Sequence, residues 1–371
     1  MSQTLGVLGG GQLGLMFVQA AGKLGFDVRI LSEEAGSPAG RIAAGEMVGS
    51  LSDEAAIRSF AQTVDALTWE VENVSWEAVT AAARDVRVRP FPAVLRTVQD
   101  RIEQKRFLAE AGLPTAPYRA VVAENDLEDA EYSAEQPSFL KRARSGYDGR
   151  GQARVGSPGE ALRAWKEMGR RPCILEPAVE FEREFSVIVA RADSGQVVSF
   201  PPIENIHVEG ILDISVFPAR IHPEQAARAQ GVARRAAERL DLVGVLCLEM
   251  YAVANHAVLI NEIAARPHNS GHLTIEACNV SQFELHVRAL AGLPLVEPEV
   301  RSQAAMANLI GISIPGAGLG VRQVNEGQAF VYDYGKTARP GRKTGHVTAL
   351  GATQDEARDL ALALRVELTG G

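Results

Sequence analysis

Cysteine is scarce in this chain: three in 371 residues, Cys173, Cys247 and Cys278, far apart within apolar stretches. Nothing in that spacing matches a metal site or a disulfide framework, so the three read as small buried hydrophobes. Long hydrophobic runs are also missing. No stretch approaches the roughly 18 apolar residues that a membrane-spanning helix needs. Positive charge is not in excess either. The formal charge of −8 argues against a general nucleic-acid binder, while leaving room for a small anion held by a local cluster of Lys and Arg. The opening MSQTLGVLGGG has no cationic region before its apolar run, so no signal peptide is expected and a cytoplasmic location is the default. What is present, 46% hydrophobic and 23% charged residues, belongs to a folded chain. At this length roughly two to three domains are expected.

The first hundred residues alternate strand and helix. TLGVLG reads as a strand, and GQLGLMFVQAAGKLG as a helix with Leu13, Phe17, Ala20, Ala21 and Leu24 on one stripe. DVRILS is a second strand, DEAAIRSFAQT a helix capped by Ser52 or Asp53, and VDALTWE a third strand. Such alternation predicts a parallel, doubly wound sheet with right-handed crossovers. A helix, RIEQKRFLAEAG, then leads to the turn-rich LPTAPY. From about 118 to 220 the strands YRAVVA, SFLKRA, CILEPAV, EFSVIVAR and VVSFPPIENI surround one clear helix, PGEALRAWKEMG. The arginines of PEQAARAQGVARRAAERLD read as a solvated face opposite an Ala-rich buried stripe. A strand pair over 243–264 and the helix SQFELHVRALAG follow. GLPLVEPEV looks like a boundary, and the last seventy residues read as a small α+β cap.

Four segments carry chemistry. Gly9, Gly11 and Gly14 satisfy G-x-G-x-x-G between a strand and a helix, with Glu33 or Glu34 about twenty residues on. By itself this says that a turn and a helix N-terminus can receive an anion; a nicotinamide cofactor is one reading among several. In LKRARSGYDGRGQARV, Gly146, Gly149 and Gly151 loosen the backbone among Lys141, Arg142, Arg144 and Arg150, which suits a lid over phosphates. Tyr147 and Asp148 inside the glycines set it apart from a basic solubility loop. In ILEPAVEFEREFSV, Glu176 ends an apolar strand beside Pro177, where it can meet a ligand, whereas Glu180 and Glu182 read as solvated.

The fourth segment is LCLEMYAVANHAVLINEIAARPHNSGH. If 243–254 and 257–265 form a hairpin, Glu249 and Glu262 lie on adjacent strands, and register decides whether they share a face. Two facing carboxylates require a shared proton or a cation. With a phosphate lid nearby, a hard divalent ion such as Mg²⁺ is the expected occupant. The loop behind them, with Arg266, His268, Asn269, Ser270 and His272, lacks an H-E-x-x-H zinc pattern and reads as a substrate-anion loop.

Taken in order, LGGGQLGLM, LTWEVENV, QDRIEQKRFL, SGYDGRGQ, EFEREFSVIVAR, PPIENIH, LINEIAARPHNSGH, SQFELHVRAL and RPGRKTGHV resemble the ATP-grasp carboxylases of purine biosynthesis over essentially the whole chain. The resemblance implies an α/β and α+β fold. A Rossmann-like pre-ATP-grasp domain (1–98) precedes an ATP-grasp domain (99–296, lid about 118–178) and a small C-terminal α+β domain (297–371). It implies ATP-dependent carboxylation of 5-aminoimidazole ribonucleotide by bicarbonate through carboxyphosphate, with Mg²⁺, in a cytoplasmic homodimer. The implied nucleotide shell is Arg101, Lys141, the loop Gly146–Tyr147–Asp148–Gly149–Arg150–Gly151–Gln152, the run Glu176–Pro177–Ala178–Val179, Glu184, His207, Asn261 and Glu262. Glu249 and Glu262 are the implied metal ligands. Asp148, Arg266 and Lys343 take the catalytic roles. The ribonucleotide falls to Gly11, Gln12, Leu13, Glu72, Tyr147, Arg150, His268, Asn269, Ser270, Lys336 and Arg342. Three positions depart from the pattern: Ser145 for glycine, Ala265 for proline, and the SEE of 32–34 for Asp-Pro.

Overall fold

In the computed structural model, which describes residues 3–128, 130, 132, 136–144, 151–314 and 319–369, the alternating N-terminal segment builds a five-stranded sheet. Its strands are β1 (Thr4–Leu8), β2 (Asp27–Ser32), β3 (Gly45–Val48), β4 (Ala66–Trp69) and β5 (Arg87–Val88), in the order β3-β2-β1-β4-β5. Every pairing is parallel. Apolar runs such as ALTW, buried along their whole length, are what a sheet covered on both faces demands. Asp53, not Ser52, caps the helix Glu54–Ala61, its carboxylate accepting the Ala55 N–H at 2.9 Å; such a cap is worth about 1 kcal/mol. The sequence reading lacked β3. Its GEMV is short and no residue in it is fully buried, so it gives no apolar periodicity to read.

A second sheet, antiparallel, holds β6 (Arg119–Val121), β7 (Ser138–Arg142), β8 (Gln152–Val155) and β9 (Cys173–Pro177) in the order β6-β9-β7-β8. The helix Pro158–Glu167 covers it with Ala161, Ala164 and Trp165. This sheet occupies the span expected for the lid.

The third sheet has ten strands. They are β10 (Arg183–Arg191), β11 (Val197–Ser199), β12 (Ile203–Val208), β13 (Ile211–Phe217), β14 (Gly244–Val253), β15 (Ala257–Ala264), β16 (Gln303–Ile310), β17 (Gly320–Val324), β18 (Ala329–Asp333) and β19 (Lys343–Gly351). The order is β15-β14-β10-β12-β13-β16-β19-β18-β17, with β11 beside β10. VVSFPPIENI, expected as one strand, breaks at Pro201–Pro202 into β11 and β12, because neither proline has an N–H to give the ladder. The helix Pro223–Arg239 lays Ala229, Ala233, Ala236 and Ala237 on the sheet and leaves Arg228, Arg235 and Arg239 exposed. Arg234 is the exception, bound to Val197 and Ser199 of β11. The C-terminal segment, expected as a small α+β cap, joins its strands to the same sheet: β16 pairs with β13 from Ile214↔Ala307 to Phe217↔Ala304. Small residues (Ala305, Ala307, Ala349, Ala357, Ala361) let the helix Gln354–Thr369 lie close on it. No helix among the described residues is long and apolar enough to cross a membrane.

Candidate active site

Register answers the question of the two glutamates. On the β14–β15 hairpin Glu249 stands directly opposite Glu262, while the next pair is Met250↔Ile260, so Asn261 is the extra residue of a bulge. Directly opposed residues point to the same face, and a bulge re-aims the side chains beside it. Both carboxylates therefore look into one cleft, and each is met by a cation from elsewhere. Glu262 pairs with Arg101, at the start of the helix Arg101–Glu110. Glu249 Oε1 lies 2.8 Å from His268 Nε2. Burial would raise the Glu249 carboxyl, but His268, His207 and Arg101 outweigh it and hold it well below the usual range. Burial works equally against a charged His268, and neighbouring Cys247 and Glu249 overcome it, raising the imidazole to about 10. Alongside, Glu184 of β10 bonds His207 of β12 at 2.8 Å.

Towards the lid sheet the cleft runs into a cavity of about 210 Å³ lined by Phe139, Glu176, Pro177, Val179, Phe181 and Tyr251, among others. Phe181 and Tyr251 stack at 4.7 Å. Glu176 closes its floor between two ammonium groups, Lys141 at 2.8 Å and Lys105 at 2.6 Å. Lys141 also donates to Asn261 Oδ1 at 3.3 Å. An apolar slot beside a fixed carboxylate and two cations can take a planar base at one end and phosphates at the other.

In the opposite direction the main cavity, about 1210 Å³, reaches the first domain and the C-terminal strands. Arg266 faces Glu72 at 3.9 Å, and Glu72 also accepts the Ala265 N–H at 2.8 Å. Lys336 bonds the Gln12 side chain, and Arg342, Lys343 and Asn269 complete this wall. It is the cationic end.

Most of the expected site residues meet here: Arg101, Lys141, Gly151, Gln152, Glu184, His207, Glu249, Asn261 and Glu262 at the nucleotide side, and Gln12, Leu13, Glu72, Arg266, His268, Asn269, Lys336, Arg342 and Lys343 at the other. Glu176, Pro177 and Val179 line the smaller cavity instead, and three more line neither. Ser270 is fully buried, bonded to Ser186 at 2.7 Å and to His268 Nδ1 at 2.9 Å, so it orients that ring and is closed to a substrate. Ala178 has its N–H and C=O tied to Pro137 and Gln136. Gly11 gives its N–H to Glu70. His272 also leaves the expected loop surface: it is fully buried beside His346, and burial pushes its imidazole well below the ordinary value. Gly146, Tyr147, Asp148, Gly149 and Arg150 lie outside the described residues.

The glycine fingerprint is closed by the chain itself. Glu70, 4% exposed, takes the Gly11 N–H and, at 2.6 Å, the Gly14 N–H. A Cβ at Gly9 would overlap the Glu70 side chain, and one at Gly10 would overlap Ser37. Ala39 donates to the Gly10 carbonyl at 3.0 Å. The glycines thus make room for protein where a dinucleotide fold makes room for pyrophosphate, and the nicotinamide reading fails on that ground. The Gln12 and Leu13 N–H groups keep no acceptor among the described residues. Sequence reasoning missed Glu70 and Lys105. Their signals were a carboxylate ending the apolar ALTWE and a lysine one helical turn after Arg101.

These features define an ATP-grasp ligase, with an apolar slot and two lysines between a lid sheet and a large sheet that carries paired carboxylates. Family models agree in order: the ribonucleotide synthetase preATP-grasp domain over residues 1–99, the ATP-grasp domain over 106–283, and the phosphoribosylaminoimidazole carboxylase C-terminal domain over 304–360. The chain is 43% identical to an N5-carboxyaminoimidazole ribonucleotide synthase of Brucella melitensis, over 94% of this chain and 96% of that one. A solved synthetase from Thermus thermophilus is similar at 38% identity and TM-score 0.87, covering 99% of each chain. An Aspergillus clavatus synthase in complex with ADP and the aminoimidazole ribonucleotide is similar at 33% identity and TM-score 0.88, covering 100% of this chain and 99% of that one. The chain belongs to the N5-carboxyaminoimidazole ribonucleotide synthase family.

Proposed function

We propose that this enzyme joins bicarbonate to the amine of 5-aminoimidazole ribonucleotide, cleaving ATP to ADP and phosphate and forming N5-carboxyaminoimidazole ribonucleotide in de novo purine (IMP) biosynthesis. The observation that carries the reading is the register pair Glu249↔Glu262 on the floor of one continuous cleft. It lies between the Lys141–Glu176 phosphate end and the cationic wall of Arg266, Lys336, Arg342 and Lys343.

Bicarbonate is a poor electrophile because its leaving group is hydroxide. Phosphorylation gives carboxyphosphate, whose leaving group is phosphate. Lys141 and Arg101 neutralise charge on the transferring phosphoryl group, a task of positioning and electrostatics. Glu249 and Glu262 fit Mg²⁺ as paired oxygen ligands facing one cleft, with nucleotide phosphates to supply further oxygens. Bound there, Mg²⁺ would supply Lewis-acid stabilisation of phosphate charge. Carboxyphosphate hydrolyses in water, which gives a closing lid its purpose. At the far end Arg266 and Lys343 hold bicarbonate and its carboxylate. Lys336, Arg342 and the N–H groups of Gln12 and Leu13 receive the ribonucleotide, with Asp148 as the group that orients or deprotonates its amine. The protein works in the cytoplasm as a homodimer, testable by light scattering in solution. The deciding assay is ADP release with bicarbonate, with and without aminoimidazole ribonucleotide: release that rises with the ribonucleotide, and a carboxylated product, are expected.

A further inference from the structure

One buried cation has no task in this account. Lys105 is 2% exposed, and an ammonium that deep is costly unless it is matched. It sits beneath the nucleotide end rather than in it. Its Nζ lies 2.6 Å from Glu176 Oε1 and donates to Thr115 Oγ1 at 2.7 Å, and that hydroxyl donates to the Ile260 carbonyl at 2.9 Å. The other oxygen of the same carboxylate, Oε2, lies 2.8 Å from Lys141. Glu176 thus bridges two lysines of different kinds. Lys105 is sealed, whereas Lys141 opens on both cavities.

We propose that Lys105 is a positioning residue, the fixed counter-charge of Glu176 that frees Lys141 to meet a nucleotide phosphate without stranding a buried carboxylate. The proposal rests on the cleft being an ATP site. Were Lys141 the sole partner of Glu176, every phosphate would have to compete with that pair, because Lys141 could leave only by baring a carboxylate that is 4% exposed. With Lys105 in place the carboxylate stays matched whichever way Lys141 turns. Burial lowers the Lys105 ammonium, but Glu176 acts against that. Burial likewise favours a neutral Glu176, and Lys141 and Lys105 overcome it. The same bonds have a mechanical side. Thr115 bridges to Ile260 of β15, just before β6, so the Lys105 knot ties the base of the lid sheet to the edge of the large one.

The test is Lys105→Met, which nearly preserves length and removes the charge. Its KM and Kd for ATP are expected to rise about tenfold to a hundredfold. At saturating ATP, kcat is expected to stay within about threefold, since the loss falls on binding. Lys105→Arg, which keeps the charge, should restore ATP affinity. In a Glu176→Gln background there is no carboxylate to strand, so adding Lys105→Met should leave ATP affinity unchanged, a non-additive result. That background also decides the matter if the single Lys105→Met variant does not fold: a further loss of affinity there overturns the proposal. It is equally overturned if Lys105→Met lowers kcat or folded fraction at unchanged KM, the mark of a purely structural lysine. A wild-type chain that binds no ATP overturns the nucleotide reading and this proposal together. Wild-type binding matched by Lys105→Met overturns this proposal alone.

Discussion

Two regions that border the cleft neutralise charge in opposite senses. At the N-terminus of the helix Gln12–Lys23, donor groups aimed at an anion are met by the chain's own Glu70. On the β14–β15 hairpin and β9, carboxylates are met by the chain's own cations, Arg101, His268, Lys105 and Lys141. The first closure is permanent. Glu70 is 4% exposed and the glycines around it leave space for nothing larger than its side chain. The second is exchangeable at Glu249, Glu262 and Lys141, which border open cavity, while Lys105 beneath them stays sealed. The Gly11 and Gly14 donors of a motif that binds pyrophosphate in one setting are here part of the scaffold, and a set of glutamates that would be a liability in a core is left bordering open space. Whether a charge is neutralised by a sealed partner or by one that faces solvent separates scaffold from site.

The sharpest way to break that contrast is Glu262→Gln. If the hairpin carboxylates serve a metal and phosphates, the folded variant should lose turnover by about a thousandfold or more, since several kcal/mol of transition-state charge stabilisation go with the ligand. The loss should appear in ADP release at ordinary Mg²⁺ levels while the melting temperature changes little. Near wild-type ADP release would move these glutamates into the scaffold class.

Glu70→Gln probes the other side. Each carboxylate oxygen takes one N–H, from Gly11 and from Gly14. An amide offers one oxygen and one NH₂, so one buried donor would face another donor. A destabilisation of about 1–3 kcal/mol is expected, read from denaturant midpoints. ATP affinity should be unmoved. A large loss of ATP binding at unchanged stability would mean that Glu70 belongs to the nucleotide cleft.

How far this contrast was legible beforehand depended on which interactions are local. The strands and helices that carry a full apolar period, such as DVRILS or the Ala stripe of 229–237, were readable because local burial sets their pattern. The candidate residues were readable one by one, since charged side chains in apolar or glycine-rich runs stand out. What could not be read was pairing at long range. Glu70 meets Gly14 across 56 residues, Arg101 meets Glu262 across 161, and Lys336 meets Gln12 across 324. The bulge that leaves Asn261 unmatched, and with it the shared face of Glu249 and Glu262, exists only in the pairing of two strands. Likewise nothing local in the C-terminal strands announces that they continue the large sheet beyond β13. The same blindness hid Lys105, whose meaning depends on Glu176 and Thr115.

The smallest expected effect lies where the two regions touch. Lys336 bonds Gln12 beside Glu70 and lines the cationic wall. Burial pushes its ammonium down to about 8; Glu70 acts against that fall, while Arg342 and Lys343 add to it. If Lys336 must be charged to hold the ribonucleotide phosphate, KM for the ribonucleotide should rise with pH through that value, by about tenfold between pH 7 and pH 9. The phosphate itself, with a second pKa of about 6, stays a dianion over this range. Nor can unfolding of this origin mimic the rise. A lysine whose folded value lies below its ordinary 10.5 binds fewer protons folded than unfolded, so its contribution to stability grows as pH rises from about 8 to 10. Lys336→Arg, which keeps its charge throughout, should flatten the profile. Removing the opposing carboxylate with Glu70→Gln should shift the midpoint downward. A profile that survives Lys336→Arg unchanged would assign the titration to another group, and would leave Glu70 as a helix cap with no electrostatic hold on the substrate end.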